Sequence, residues 1–133
     1  MAAVVDASAL VLYLVDAEVG PRVAAELARH DGDLHVPHLA DVEVASVLRG
    51  LARAGDIAAD RAAMALDDLA DFPAVRWGHE ALLRRVWSLR ENISAYDATY
   101  VALAEGLGAA LVTRDSRLAS AASAHAACPV VLL

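Results

Sequence analysis

Short apolar runs alternate along the chain with longer segments in which apolar residues recur at helical spacing. A short apolar run that stops at a charged residue, as Val4-Val5 stops at Asp6, predicts a buried strand. Proline and glycine help to predict where the intervening helices begin and end. The predicted strands are Val4-Val5, Leu34–Val36, Val75–Trp77, Ala110–Val112 and Pro129–Leu133. The predicted helices are Ala7–Val15, Pro21–His30, Leu39–Arg53, Asp60–Asp71, Glu80–Arg90, Ala95–Glu105 and one from Ser116. This alternation predicts an α/β chain whose parallel sheet is covered by helices on both faces.

The size of the chain predicts a single domain over residues 1–133. Hydrophobic residues make up 59% of it and 32 residues are alanine, so we expect a core built mainly from small side chains. A chain of this length can bury enough surface to fold without a disulfide or a structural metal.

The charged residues exclude several functional classes. The chain has 18 acidic residues, 11 arginines and no lysine, and its formal net charge is −7. A Walker A loop and Schiff-base catalysis both need a lysine, and nucleic-acid binding by counterion release needs a basic face.

The single cysteine, Cys128, cannot form an internal disulfide, and the longest apolar stretch, Ala7–Val15, is shorter than the roughly 20 residues of a spanning helix. We therefore expect a soluble, cytoplasmic protein without membrane contact.

Three aspartates lie where an open parallel sheet binds its ligands, outside the carboxyl ends of the strands. Asp6 follows the first predicted strand, and Asp115 follows the fourth. Each also precedes a helix, where aspartate is a preferred N-cap. Asp97 fits a capping box that begins at Ser94. Helix capping therefore remains open as a purely structural role for all three.

Glu43 is harder to explain by helix structure alone, because it lies well inside the helix Leu39–Arg53. Its neighbours one turn away are Leu39, Ala40, Ser46 and Val47. A carboxylate on this largely apolar stripe is costly unless it is paired, exposed or bound to a cation. Asp41 lies in the first turn of the same helix, where the helix dipole favours a negative charge. We therefore prefer Glu43 to Asp41 as a functional residue.

These four acids would meet at one edge of the sheet if the strands concerned are neighbours. Four adjacent carboxylates repel one another unless cations lie between them. A set of oxygen ligands selects Mg²⁺ or Mn²⁺ rather than zinc. Such a cluster suits the hydrolysis of phosphodiester bonds, because metal ions activate water and stabilise the leaving oxygen.

Four segments of the chain carry a resemblance to a known family. They read VVDAS from Val4, PHLADVEV from Pro37, YDATYVALA from Tyr96 and LVTRD from Leu111. In order and spacing they resemble the PIN-domain ribonucleases, and within these the VapC toxins of bacterial toxin–antitoxin pairs. The resemblance implies an α/β/α sandwich and a metal-dependent endoribonuclease that uses Mg²⁺ or Mn²⁺. Its acidic quartet falls on Asp6, Glu43, Asp97 and Asp115, with Ser8 and Thr113 as supporting hydroxyls.

The resemblance also implies a homodimer and a cognate VapB-type antitoxin whose C-terminal segment enters the acidic groove. One departure from the pattern is that some relatives carry a further acid just after the last aspartate, where this chain has Ser116. Two alternatives therefore remain: a PIN-like module that binds RNA or protein without turnover, and a PIN ribonuclease that is not a toxin. Among the aromatic residues, we expect Trp77 and Trp87 to pack in the core rather than to stack on RNA bases.

Overall fold

A five-stranded sheet forms the middle layer of the computed structural model, which describes all 133 residues. The strands are β1 (Ala3–Val5), β2 (Leu34–Pro37), β3 (Val75–Trp77), β4 (Ala110–Thr113) and β5 (Val130–Leu132). Their order across the sheet is β3-β2-β1-β4-β5, and every neighbouring pair is parallel. The sheet is thus wholly parallel, and the predicted parallel sheet is confirmed.

Seven helices connect the strands. They are α1 (Ala7–Val15), α2 (Gly20–Ala28), α3 (Leu39–Arg53), α4 (Ala59–Ala70), α5 (Leu83–Ser88), α6 (Ala95–Leu107) and α7 (Ser116–His125). The bounds predicted for α1 and α3 are confirmed. The single helix predicted over Glu80–Arg90 is wrong, because Glu80–Leu82 is a 3₁₀ turn and α5 ends at Ser88. Beyond Ser88, i→i−3 hydrogen bonds tighten the chain and bury Leu89 and Ile93.

The helices form two layers, and the core lies between them and the sheet. Helices α1 to α4 pack against one another, whereas α5 packs on α6, which in turn covers β1, β2 and β4. Right-handed crossovers place α5, α6 and α7 on the face opposite α1 to α4. The central strand β1 is buried along its whole length, and α6 buries seven residues, of which three are alanine. Small side chains thus let α6 pack closely on the sheet, and the predicted three-layer α/β/α sandwich is confirmed.

The strand order locates the place where a ligand is expected. From β1 the chain moves outward to β2 and β3, then returns across the sheet to β4 on the other side of β1. The crevice between the carboxyl ends of β1 and β4 is therefore the topological switch point, the usual binding site of open α/β sheets. Asp6 directly follows β1, and Asp115 lies two residues after β4. No helix has the length and apolar character needed to cross a membrane.

Candidate active site at the switch point

Asp6 is buried at the point where β1 passes into α1. Its Oδ1 accepts hydrogen bonds from the backbone N–H of Ser8 and Ala9, so the predicted N-cap role is real. The same oxygen also accepts from the Ser8 hydroxyl at 2.6 Å. Its Oδ2 accepts from the Thr113 hydroxyl at 2.6 Å, which ties α1 to the end of β4. Asp6 is thus a helix cap and a bridge across the switch point at once.

Thr113 and Ser8 connect Asp6 to Asp115. The hydroxyl of Thr113 accepts the backbone N–H of Asp115 at 2.9 Å while it donates to Asp6. The hydroxyl of Ser8 accepts the backbone N–H of Arg114 at 3.0 Å. Asp115 caps α7, because its Oδ1 accepts from the N–H groups of Arg117 and Leu118. The two hydroxyls therefore fix both strand-end aspartates relative to each other.

Glu43 is half-buried in α3, and its Oε1 accepts a hydrogen bond of 2.8 Å from the hydroxyl of Tyr100 in α6. Tyr100 itself is only 2% exposed, so its hydroxyl needs this partner. The apolar stripe expected around Glu43 is only partly buried, since Ser46 and Val47 are exposed. What holds the carboxylate inward is therefore a specific tyrosine rather than an apolar surround.

Asp97 lies in the first turn of α6, half-buried, and its carboxylate accepts no hydrogen bond from the chain. Only one half of the predicted capping box forms: Ser94 Oγ accepts the backbone N–H of Asp97 at 3.2 Å. The return bond, from the N–H of Ser94 to the carboxylate, is missing. Of the four acids, Asp97 is the one whose side chain has no structural task, and its oxygens remain free for a ligand.

Electrostatic coupling shows that the four acids share one region. Burial raises the pKa of Asp97 above its ordinary value, and the charges of Asp115 and Asp6 raise it further. Burial likewise raises the pKa of Glu43, and the charges of Asp6 and Asp97 add to this effect, while the bond from Tyr100 opposes it. The pKa of Asp6 is raised by burial against its own hydrogen bonds. Each of the four predicted acids is thus coupled to at least one of the others, and an added positive charge in this region would be stabilising.

The donor chemistry of this region fits a hard cation. Carboxylate oxygens are the ligands that Mg²⁺ and Mn²⁺ prefer. No three His, Cys, Asp or Glu side chains stand in the arrangement that would hold one metal ion by themselves. This does not conflict with magnesium, because Mg²⁺ keeps several waters and commonly takes only one or two carboxylates. The residues therefore fit an ion held by carboxylates and water together.

Asp41 has a structural partner instead. Arg76 of β3 donates two hydrogen bonds to its carboxylate, at 2.8 and 3.1 Å. The same guanidinium donates to the carbonyl of Leu69 at 2.7 Å. The pKa of Arg76 is raised, chiefly by its hydrogen bond to Asp41. Through Arg76, Asp41 thus joins the start of α3 to β3 and to the end of α4. Its carboxylate is therefore occupied and does not belong to the cluster of the other four acids.

The tryptophans do not pack in the core, so that expectation is wrong. Trp87 is 68% exposed and carries the guanidinium of Arg90 over its ring at 4.6 Å. Trp77 is also exposed, and its indole N–H donates to His35 Nδ1 at 3.0 Å. Trp77 lies on β3, an edge strand, and Trp87 lies on the short outer helix α5, so neither has a second layer to cover it.

Tyr100 is the residue of this site whose role the sequence analysis did not recognise. It lies three residues after Asp97, and residues at this spacing share one face of a helix. A phenol on the inner face of an alanine-rich helix needs a polar partner. This spacing was the available signal, but the identity of Glu43 as that partner depends on how α3 and α6 meet.

A comparison with protein families identifies the class. The model of the PIN domain matches residues 3–124 of the chain. Ribonuclease VapC9 of Mycobacterium tuberculosis (strain ATCC 25618 / H37Rv) is 44% identical over 131 residues, which span 98% of this chain and 97% of that protein. Ribonuclease VapC3 of the same strain is 42% identical over 125 residues, 92% of this chain and 90% of that protein. The chain therefore belongs to the PIN domain family and, within it, to the VapC ribonucleases.

Solved structures agree with the fold. The crystal structure of PAE2754 from Pyrobaculum aerophilum superposes with a TM-score of 0.70 at 23% identity, covering 98% of this chain and 83% of that one. A structure described as FitAB bound to an IR36 DNA fragment also gives a TM-score of 0.70, at 16% identity and 98% and 94% coverage. At these identities the likeness concerns the arrangement of helices and strands alone.

Proposed function

We propose that residues 1–133 form one PIN domain that cleaves RNA endonucleolytically as the toxin of a VapBC pair, with Mg²⁺ or Mn²⁺ bound at a cluster of four carboxylates. The four are Asp6, Glu43, Asp97 and Asp115. The observation that carries the proposal is their convergence at the switch point, where burial raises the pKa of Asp6, Glu43 and Asp97 and the charges of neighbouring acids raise the pKa of Glu43 and Asp97 further. Such repulsion is relieved by a bound cation. The names of the VapC relatives support RNA as the substrate.

Three of the four acids have distinct parts in this site. Asp97 is free of other hydrogen bonds and is the most available ligand. Asp6 is fixed by Ser8 and Thr113, so it offers a rigid carboxylate at the bottom of the crevice. Glu43 is oriented by Tyr100. Held by these carboxylates, a divalent ion would supply Lewis-acid stabilisation of the phosphate oxygens and would help to activate water.

The surroundings of the acids favour an anionic backbone despite the net charge of −7. The N-termini of α1 and α7 begin at Asp6 and Asp115, and that of α6 begins just before Asp97. Helix N-termini stabilise negative charge. Arg117 is exposed, and its charge lowers the pKa of Asp97, so a cation acts on the acidic region from the first turn of α7.

The partners and the location follow from the family resemblance. We include in the proposal a homodimer, a cognate VapB-type antitoxin and a cytoplasmic site of action. The acidic crevice favours a cationic segment of the antitoxin, because such a segment relieves the same repulsion that a metal ion would relieve. Antitoxin and metal would then compete for one region.

The proposed function is tested by RNA cleavage with the purified protein. We expect cleavage that stops when EDTA is added and returns when Mg²⁺ or Mn²⁺ is restored in excess. Asp97→Asn should abolish cleavage, and it is the cleanest variant because the Asp97 side chain makes no structural hydrogen bond. Asp41→Asn is the matched control, an acid of similar exposure that Arg76 holds away from the others. Cleavage that survives EDTA, or survives Asp97→Asn, would contradict the proposal; RNA binding without product would favour the module without turnover.

A further inference from the structure

A small cavity lies between the first turns of α3 and α6, and its lining residues neighbour Glu43 and Asp97 along these helices. Its volume is about 190 Å³, and its lining includes Leu39, Leu83, Tyr96 and Thr99. Leu39 precedes Glu43 by one helical turn, and Tyr96 and Thr99 flank Asp97 in α6. The cavity therefore adjoins the helical turns that carry Glu43 and Asp97.

Two side chains that line this cavity are more than half exposed and so are accessible to a ligand. Tyr96 is 64% exposed and Leu83 is 56% exposed. Both line the same cavity, Tyr96 from α6 and Leu83 from α5. An exposed aromatic ring beside a small apolar cavity is the arrangement on which an unpaired nucleic-acid base stacks.

His79 supplies a polar group to the same cavity. Its Nε2 accepts the backbone N–H of Leu39 at 3.0 Å and thereby caps α3 from the loop before α5. Because Nε2 is the acceptor, the neutral ring carries its proton on Nδ1. Nδ1 has no partner in the chain and is not buried, so it can donate a hydrogen bond to a ligand. An apolar cavity with one accessible hydrogen-bond donor can hold a planar heterocycle and can select one that has an acceptor atom at the matching position on its edge.

We propose that this cavity receives one unpaired base of the RNA, the base of a nucleotide next to the cleaved phosphodiester bond. The inference rests on the proposed function, because it places the sugar–phosphate backbone across Asp97 and Glu43. Tyr96 stacks on the base, Leu83 forms an apolar wall, and His79 donates from Nδ1 to an acceptor on the base. Sequence preference at one nucleotide and a requirement for single-stranded RNA follow from this arrangement.

The test is a double-mutant cycle in which a substitution in the protein is combined with the removal of a base from the RNA. The cleavage position is first mapped on a pool of single-stranded RNA with the wild-type protein. The value of kcat/KM is then measured on the mapped sequence and on versions with an abasic site at each position from two before to two after the cut. Wild type and Tyr96→Ala are compared on every substrate. Tyr96→Phe keeps the ring, and Met64→Ala removes a comparably exposed apolar side chain from α4, away from the cavity.

We expect one abasic position to lower kcat/KM of the wild type by about 5- to 150-fold, the usual range for one stacked base. Tyr96→Ala should cause a similar loss on the intact substrate and little further loss on that abasic substrate. Tyr96→Phe keeps the ring and should therefore show the same loss at that abasic position as the wild type, and Met64→Ala should leave kcat/KM unchanged. Full additivity of Tyr96→Ala with every abasic position would overturn the inference, since Tyr96 would then act only on Asp97 or on the fold.

The outcomes separate this inference from the proposed function. If the wild type does not cleave RNA at all, the proposed function fails first. If it cleaves and Tyr96→Ala changes nothing, the base site fails while the proposed function stands. If Tyr96→Ala instead weakens only inhibition by a VapB-type antitoxin, the cavity holds a peptide, and the base site is again overturned.

Discussion

Removing the hydroxyl of Tyr100 perturbs the one hydrogen bond that orients Glu43. Tyr100→Phe keeps the ring in its buried place and leaves the Glu43 carboxylate without its donor. A hydrogen bond to a charged group contributes about 1.5–3 kcal/mol. Glu43 is half-buried, so water can replace part of this contribution, and we expect a loss near the lower limit, about 1.5 kcal/mol.

The expected change in melting temperature follows from the size of the chain. The unfolding entropy is about 2.1 cal/mol/K per residue, or roughly 0.28 kcal/mol/K for 133 residues. A loss of about 1.5 kcal/mol therefore lowers Tm by roughly 5 °C at neutral pH without metal. The loss should shrink as the pH falls through the pKa of Glu43, which burial raises above 4.5. Below that pKa the Glu43 carboxyl is neutral, so the wild type keeps only a weaker hydrogen bond between neutral groups, and the stability difference between the two proteins shrinks.

The assay is thermal unfolding by circular dichroism in EDTA at a series of pH values. Tyr13→Phe is the matched control, because the hydroxyl of Tyr13 makes no hydrogen bond in the chain while its ring packs edge-on against Phe72. Its Tm should stay near that of the wild type. Equal effects of the two substitutions, or a Tyr100→Phe effect that does not depend on pH, would refute the role assigned to the Tyr100–Glu43 bond.

Three further predictions concern the acids and their partners. Asp97→Asn should raise Tm of the metal-free protein at pH 7. Because the pKa of Asp97 is raised in the folded state, its ionised carboxylate destabilises the fold once the pH has risen through that pKa, and asparagine removes this charge. A lower Tm of the variant in EDTA would contradict this. Glu43→Gln should reduce kcat/KM for RNA on the order of 100-fold or more, whereas Asp41→Asn leaves it unchanged; the reverse order would show that Asp41 is the ligand. Arg76→Ala should cost about 1–3 kcal/mol in urea unfolding, because it breaks a two-bond ion pair and leaves the Leu69 carbonyl without its donor; a change below about 0.5 kcal/mol would mean that the ion pair contributes little.

Much of the architecture could be predicted because local signals agree with the tertiary structure. The limits of α1 and α3 follow from Asp6, Pro37 and Gly55, each of which marks a helix end by ordinary backbone chemistry. The same local logic located Asp6 and Asp115 at strand ends. The local sequence could not distinguish a capping role of these aspartates from a functional one. In the structure both roles coincide, because each carboxylate caps a helix and also faces the crevice.

What the sequence could not reveal depends on contacts between distant segments. The bond between Tyr100 and Glu43 joins residues 57 positions apart, and only the packing of α6 against α3 determines it. The exposure of Trp77 follows from the position of β3 at the edge of the sheet, which no local pattern records. The cavity at Tyr96 has the same origin, because its walls come from three helices and one loop.

The central claim, that the four acids at the switch point bind a divalent cation, is tested most directly by titrating Mn²⁺ into the metal-free protein. Calorimetry and electron paramagnetic resonance would count the bound ions in the wild type, in Asp97→Asn and in Asp41→Asn. We expect saturable binding to the wild type and to Asp41→Asn, and greatly weakened binding to Asp97→Asn, although the Tm of this variant without metal should be the higher one. Binding of Mn²⁺ that is equal in all three, or absent from the wild type, would contradict it.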